Sequence, residues 1–150
     1  MSPNEWGPPI WTFFHTLAEK IHEDAYAELM PQLVAYIKKI CVYLPCPDCS
    51  QHAGQFLAKV NFSTIKTKND FKNIMFIFHN MVNHRNKKPQ FNIADLSKYA
   101  NGGNIIDAYN NFITVFQTNG NMKLLADSFQ RKRLISEFKK WLIANIKHFS

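Results

Sequence analysis

The sequence predicts an all-α protein, and three features of its 150 residues support this fold class. Apolar side chains recur at the three- and four-residue spacing of amphipathic helices along most of the chain. Prolines and capping side chains stand before several of these apolar runs, as they do at helix starts. Thirteen Phe beside only five Gly favour packed helices over a loop-rich or sandwich fold.

Two helices are predicted before the Cys46-Cys49 pair. Pro8-Pro9 suits a helix start, and apolar residues at helical spacing continue helix one to about His22. Helix two is predicted over residues 31–43, with a preceding helical turn over residues 25–30. Leu44-Pro45 should end it, because proline cannot continue a helix.

Helices three to five are predicted from their first residues. Cys46-Pro47-Asp48-Cys49 begins helix three, because Pro and Asp suit the first turn. Thr67 offers a cap for helix four, which is apolar nearly all round and is therefore predicted to lie in the middle of a bundle. Asn92 offers a cap for a short fifth helix that ends near Tyr99.

An Asn-Gly-Gly-Asn stretch after residue 100 is the clearest boundary signal in the chain. It predicts a domain over residues 1–100 and a mostly helical C-terminal extension over residues 101–150. Residues 105–117 fit either a helix or a hairpin strand before the turn signal Asn119-Gly120. From Met122 onward the apolar spacing predicts an amphipathic helix with a basic opposite face.

The charge balance is basic, with a formal net charge of +7 and a pI of about 9.4. Basic residues are scattered over the first hundred positions, and the dense group is Arg131-Lys132-Arg133 followed by Lys139-Lys140. This scatter does not predict nucleic-acid binding as a main role. No apolar run approaches the roughly 18 to 20 residues that cross a bilayer, and no secretion signal is evident. We therefore expect no membrane partner.

Three cysteines, Cys41, Cys46 and Cys49, are too few for a disulfide framework. The spacing of the last two fits a redox pair or half of a metal site. Zinc would need about four ligands, and only His52 joins the pair on the same helix. A thioredoxin-like fold would need strands alternating with helices. A helix start favours a reactive thiolate, whereas Cys41 fits a small buried side chain.

Two other stretches place polar and aromatic side chains on helix faces. Trp11 and His15 are four residues apart on helix one, and His79 and Asn83 are four apart on helix four, with Val82 between them. Taken alone, each pair fits packing or a satisfied polar network within the core. Together with a dithiol, they describe a slot for a planar redox ring beside an exchangeable disulfide.

The order of these stretches resembles the Erv/ALR family of flavin-dependent sulfhydryl oxidases, over roughly residues 6–99. The shared motifs are W-G-x-x-x-W-x-x-x-H, then P-C-x-x-C, then H-N-x-V-N with a following K-P-x-F. The resemblance implies a bundle of four helices plus a short fifth helix that holds FAD non-covalently. It also implies a homodimer formed through the first two helices.

By position, the resemblance implies a catalytic pair, a set of FAD contacts and no metal. Cys46 is implied as the thiol that meets the substrate and Cys49 as the thiol beside the flavin. Electrons would pass to FAD and then to molecular oxygen, giving hydrogen peroxide. The implied cofactor-binding residues are Gly7, Trp11, His15, His79, Asn80, Val82, Asn83, Arg85, Lys88 and Tyr99.

The partners that the resemblance implies are thiol-containing substrate proteins, reached directly or through a redoxin intermediary, and oxygen. Because the chain lacks the second CxxC that many relatives carry, it looks like the short versions encoded by large cytoplasmic DNA viruses. We therefore expect it in the cytoplasm, which means the host cytoplasm or the virion if the chain is viral. The alternative function is a non-enzymatic CxxC-His zinc or adaptor module whose basic helix binds a partner or nucleic acid.

Overall fold

The computed structural model describes residues 3–117 and 122–150, with side chains described over 7–117 and 127–150. The predicted all-α class is confirmed: the described residues form helices and no strand, apart from an isolated bridge between Ile21 and Phe149. The α-helices of this part of the chain are α1 Pro3–Lys20, α2 Glu23–Val42, α3 Pro47–Lys59, α4 Lys68–Arg85, α5 Ser97–Asn101, α6 Ile105–Phe116 and α7 Met122–Ala144. Among them, no helix has the length and apolar character needed to cross a membrane.

Helix α1 begins at Pro3, so the predicted start at Pro8-Pro9 was wrong. The two prolines lie inside the helix at its sixth and seventh positions. Their fixed φ is compatible with a helix, although each removes one backbone hydrogen bond. The predicted apolar stripe is present, and Phe13 and Phe14 are buried in the core. Helix α1 therefore lies at the centre of the packing, in contact with α4, α5 and α6.

Helix α2 begins at Glu23 and runs through Pro31, so the predicted start at Pro31 was also wrong. Glu23 is acidic in the first turn, where it complements the helix dipole, and the side chain of Tyr26 is buried. Pro31 is exposed, so its ring faces water rather than a neighbouring helix. The predicted end before Leu44-Pro45 is confirmed.

Helices α3 and α4 begin as predicted. Cys46 caps α3, with its sulfur accepting a hydrogen bond from the Cys49 N–H at 3.2 Å. Thr67 and Asp70 form a reciprocal capping box at the start of α4. The prediction that α4 lies in the middle of a bundle was wrong, because Ile77 is 51% exposed. Helix α4 packs chiefly on α1, which leaves its far face in water.

The predicted fifth helix begins as a 3₁₀ turn over Ile93–Leu96, capped by the Asn92 side chain, and continues as α5. The predicted break after it is confirmed, since α5 ends at Asn101 and α6 begins at Ile105. Gly103 is required in this break: a Cβ there would overlap the backbone carbonyl of Tyr99. The glycine lets the chain turn back closely over α5.

Ile105–Phe116 form helix α6, which decides between the two alternatives predicted for residues 105–117. In helical form, Phe112 stacks on Phe13 of α1 with ring centroids 4.8 Å apart. The turn signal Asn119-Gly120 lies outside the described residues. Helix α7 packs on α2, where the ring centroids of Phe138 and Tyr36 are 4.8 Å apart.

Helices α6 and α7 share one hydrophobic core with the helices before them. Phe112 and Phe138 belong to the same buried cluster as Phe13. The predicted division into residues 1–100 and 101–150 stays a prediction about domain organisation. At the level of packing, the C-terminal part covers the apolar faces of α1 and α2.

Candidate functional site

Cys46 and Cys49 form a disulfide at the N-terminus of α3. Their Cα atoms are 5.2 Å apart, which is within the range that a disulfide requires. Pro47 and Asp48 occupy the first helical positions, where a proline loses no hydrogen bond and a carboxylate complements the helix dipole. The backbone N–H groups of this first turn favour negative charge on a cysteine sulfur.

A cavity of about 390 Å³ lies beside this disulfide. Cys49 is on its wall and Cys46 is not. Most of the wall is apolar or aromatic, with a few polar and cationic groups, which is the composition of a cofactor pocket. The lining residues are Gly7, Pro8, Ile10, Trp11, Thr12, Phe14, Cys41, Leu44, Asp48, Cys49, His52, Ala53, Phe78, His79, Val82, Asn83, Arg85, Asn86, Lys88, Phe91, Lys98 and Tyr99.

Flat rings from α1, α4 and α5 stack against one another at this cavity. The rings of Trp11 and His79 are nearly parallel, with centroids 4.3 Å apart and an angle of 8° between the planes. His15 stacks on Tyr99 at 5.0 Å and on Phe91 at 5.3 Å. The rings that sequence spacing placed on faces of helices one and four therefore stack on one another and on rings from other parts of the chain.

The two histidines of this stack are neutral near pH 7. Burial, together with the neighbouring His79 and Lys98, lowers the pKa of His15 to about 3. Burial, together with Lys98 and Lys88, lowers the pKa of His79 to about 4. His15 Nε2 and His79 Nδ1 are 2.9 Å apart, so one ring donates a hydrogen bond to the other. His15 Nδ1 is buried without a hydrogen-bond partner.

Three cationic side chains lie on the cavity wall together with the rings. Arg85 and Lys88 follow the polar stretch of α4, and Lys98 approaches from α5. All three residues are exposed. The Lys98 ammonium lies 5.1 Å from the ring centroid of Tyr99. The cavity therefore suits a ligand that combines a planar apolar part with a negatively charged group.

Asn80 is placed differently from the other predicted cofactor contacts. Its side-chain Nδ2 donates to the Phe91 carbonyl at 3.0 Å, and its Oδ1 accepts from the Phe91 N–H at 2.6 Å. The amide therefore ties the chain after α4 back onto that helix. It holds Phe91 against the ring stack, and a direct cofactor contact for Asn80 stays a prediction.

The structure brings most of the predicted site residues to one place. On the cavity wall are Gly7, Trp11, Cys49, His79, Val82, Asn83, Arg85, Lys88 and Tyr99. His15 packs behind the wall, and Cys46 lies across the disulfide from Cys49.

Sequence reasoning missed several residues of the wall as site residues, among them Phe78, Phe91 and Lys98. Phe91 belongs to the K-P-x-F motif and Lys98 precedes the predicted contact Tyr99, so both were within reach of the motif argument. Phe78 looked like an ordinary core position of α4, because it is buried with the same periodicity.

A metal site would need several His, Cys, Asp or Glu side chains close together. Within the described ranges, no three His, Cys, Asp or Glu side chains come together in a metal-binding arrangement. His52 Nδ1 instead lies 3.7 Å from the Asp48 carboxylate one turn earlier on α3.

Fold and site together define a helical protein in which a cysteine pair borders a cavity lined by rings and cationic side chains. The sequence profile described as the Erv1 / Alr family matches residues 8–101, more than half of the chain, and the chain therefore belongs to that family.

Viral proteins are among its relatives. The chain is 34% identical over 97 residues to the FAD-linked sulfhydryl oxidase of African swine fever virus, covering 64% of this chain and 77% of the viral one. It is 28% identical over 95 residues to a protein of Invertebrate iridescent virus 6 that is provisionally named an FAD-linked sulfhydryl oxidase. This match covers 59% of this chain and 86% of the viral one. A similarly named fowlpox virus protein is 30% identical over 84 residues, covering 56% and 81%. The predicted resemblance to viral family members is confirmed, and no solved structure matches significantly.

Proposed function

We propose that this chain is an FAD-linked thiol oxidase that forms disulfides in substrate proteins. The observation that carries the proposal is the position of Cys49, half of a disulfide at a helix N-terminus and also part of the cavity wall. A sulfur at this position can exchange with outside thiols through its partner Cys46 and reach a planar acceptor in the cavity. The names of the viral relatives agree with this chemistry.

The residues present fit FAD. The ring stack around Trp11 and His79 would hold a flat apolar ring system, and Arg85, Lys88 and Lys98 would balance the charge of a diphosphate. When bound, FAD would supply an acceptor for the two electrons of the dithiol, and molecular oxygen would take them up to form hydrogen peroxide.

The cysteine pair performs the exchange with the substrate. A substrate thiolate attacks the Cys46 sulfur, the bond between the two cysteines breaks, and Cys49 leaves as a thiolate. A second substrate thiolate then attacks the mixed disulfide at the substrate sulfur, and Cys46 leaves in turn. The Cys49 N–H that donates to the Cys46 sulfur, and the first turn of α3, stabilise the negative charge at this stage. The substrate now carries a disulfide, and the chain carries a dithiol.

An absorption spectrum of the purified chain tests this proposal. We expect a yellow protein with a flavin band that bleaches when dithiothreitol is added under nitrogen and returns when air is admitted. Bleaching requires that electrons pass from the dithiol into the cavity. A colourless protein that carries zinc would instead support the adaptor alternative.

The Cys41→Ser variant should retain most of the oxidase activity. Burial raises the pKa of the Cys41 thiol to about 12, so almost none of it is a thiolate near pH 7. A buried hydroxyl in its place should lower the free energy of unfolding by about 1–3 kcal/mol. Oxygen consumption with dithiothreitol and urea unfolding measure the two effects. A loss of turnover greater than tenfold would show that Cys41 carries electrons.

We further propose a homodimer and delivery of disulfides to substrate proteins directly or through a redoxin. In this chain α6 and α7 cover the apolar faces of α1 and α2. A second copy would therefore contact what is left exposed, which includes Val42 at 57% and Ile77 at 51% exposure. Sedimentation velocity would distinguish a dimer from a monomer.

The proposed location is the cytoplasm, in the host or the virion if the chain is viral. The support for it is that the relatives belong to viruses. A catalysed route to disulfides is useful where thiols are otherwise kept reduced.

A further inference from the structure

Arg131 is a fully buried arginine on α7, with 0% of its surface exposed. Its Nε donates a hydrogen bond to the Tyr43 carbonyl at 2.7 Å, and its guanidinium lies 5.9 Å from the ring centroid of Phe116. Desolvating a charged side chain is costly unless hydrogen bonds compensate it. The position of the Arg131 guanidinium is therefore set by the groups that it binds. The sequence predicted Arg131 on the basic, solvated face of the helix, and that prediction was wrong.

The Tyr43 carbonyl belongs to the chain segment that leads into the redox pair. Tyr43 is the C-cap of α2, and Cys46 is the N-cap of α3. We call residues 43–45 the corner. The Leu44 N–H in the corner donates to Ser50 Oγ on α3 at 3.0 Å. The corner is thus held by α7 on one side and by α3 on the other.

The corner ends at Cys46 and constrains its backbone from the N-terminal side. Cys49 lies inside α3, whereas Cys46 is the N-cap, held to the helix by the Cys49 N–H on its sulfur and by the Ser50 N–H on its carbonyl at 3.0 Å. A dithiol closes readily when its two sulfurs are kept near each other, because little chain entropy is then lost. Motion of the corner would strain these two bonds and separate the sulfurs.

We propose that Arg131 is a positioning residue of the redox centre, which holds the corner so that the Cys46–Cys49 disulfide is favoured over the dithiol. The inference rests on the proposed function and extends it to a part of the chain beyond the family match, which ends at residue 101. Helix α7 thereby contributes to the thermodynamics of the cysteine pair without touching substrate or cofactor.

Equilibration of the full-length chain with glutathione measures this contribution. Two glutathione thiols reduce the protein disulfide, and one glutathione disulfide and two protein thiols result. The chain is equilibrated under nitrogen in buffers of graded glutathione ratio, alkylated and weighed by mass spectrometry. We expect Arg131→Met to shift the equilibrium about tenfold toward the dithiol, which is about 30 mV for a two-electron couple.

Trp141→Phe is the matched control. Trp141 also lies on α7, and its indole N–H donates to Gln32 Oε1 on α2 at 2.9 Å. The variant loosens the same pair of helices away from the corner, so its glutathione equilibrium should stay within twofold of the wild type. Thermal unfolding of both variants shows how much stability each loses.

Two milder variants test the same inference if Arg131→Met does not fold. Arg131→Lys keeps a cationic donor and should shift the equilibrium by less than threefold. Ser50→Ala frees the corner from its other side and should shift it about threefold toward the dithiol. No shift in Ser50→Ala, or equal shifts in Arg131→Met and Trp141→Phe, would overturn the inference. A wild-type disulfide that no glutathione ratio opens would instead overturn the proposed function.

Discussion

Replacing Cys49 by Ser should abolish thiol-dependent oxygen consumption, by at least about a thousandfold, while FAD remains bound. A hydroxyl neither forms the disulfide with Cys46 nor supplies a thiolate on the cavity wall. Binding should persist, because the ring stack around Trp11 and His79 and the cationic side chains of the wall are not altered. Oxygen-electrode traces with dithiothreitol and the flavin absorption of the purified variant measure the two effects separately.

Cys46→Ser and Cys41→Ser are the controls for this experiment. Cys46→Ser also lacks the disulfide but keeps the Cys49 sulfur on the wall, so its flavin should still bleach slowly with dithiothreitol under nitrogen. The flavin of Cys49→Ser should not bleach at the same rate. If the two variants exchanged these behaviours, the roles assigned to the two sulfurs would be reversed. Turnover retained in Cys49→Ser would falsify the proposed mechanism.

Local signals in the sequence predicted the helix starts that depend on local contacts. Thr67 and Asp70 bond to each other's backbone within one turn, and Cys46 caps its own helix, so neighbouring residues sufficed for both. The starts of α1 and α2 were missed because tertiary packing outweighed proline there. An apolar face such as that of Tyr26 stabilises a helix through residues that would otherwise end it.

The candidate site was predictable where residues share a helix, and less so where the chain folds back. Trp11 and His79 were found from their motifs, but their parallel stacking depends on how α1 crosses α4. Phe91 reaches the stack because Asn80 holds its backbone. Arg131 stands in a basic run, and only the docking of α7 on α2 distinguishes it from its solvated neighbours.

The second large effect is a loss of stability in acid that depends on His15. The pKa of His15 is about 3 in the folded chain, against an ordinary value of 6.5, because burial disfavours the charged ring. The unfolded chain therefore binds the proton more readily, so this contribution is present above pH 6.5 and is lost as the pH falls toward 3. At pH 5 the loss should be about 2 kcal/mol, since one pKa unit corresponds to about 1.4 kcal/mol. His79, with its pKa lowered to about 4, adds a further loss in the same range, so urea unfolding of the flavin-free wild type at pH 8 and pH 5 measures the two together.

His15→Asn isolates this contribution from those of other titrating groups. The variant should be less stable at both pH values, because the contacts with Tyr99 and His79 are weakened, but it should lose about 2 kcal/mol less than the wild type between pH 8 and pH 5. His84→Asn, which changes an exposed histidine of α4, is the matched control. Equal slopes for His15→Asn and the wild type would mean that the buried imidazole takes up its proton at the same pH in the folded and the unfolded chain. At pH 5 the ring stack would then have to accommodate a cation, and its fit to a neutral planar ligand would no longer hold.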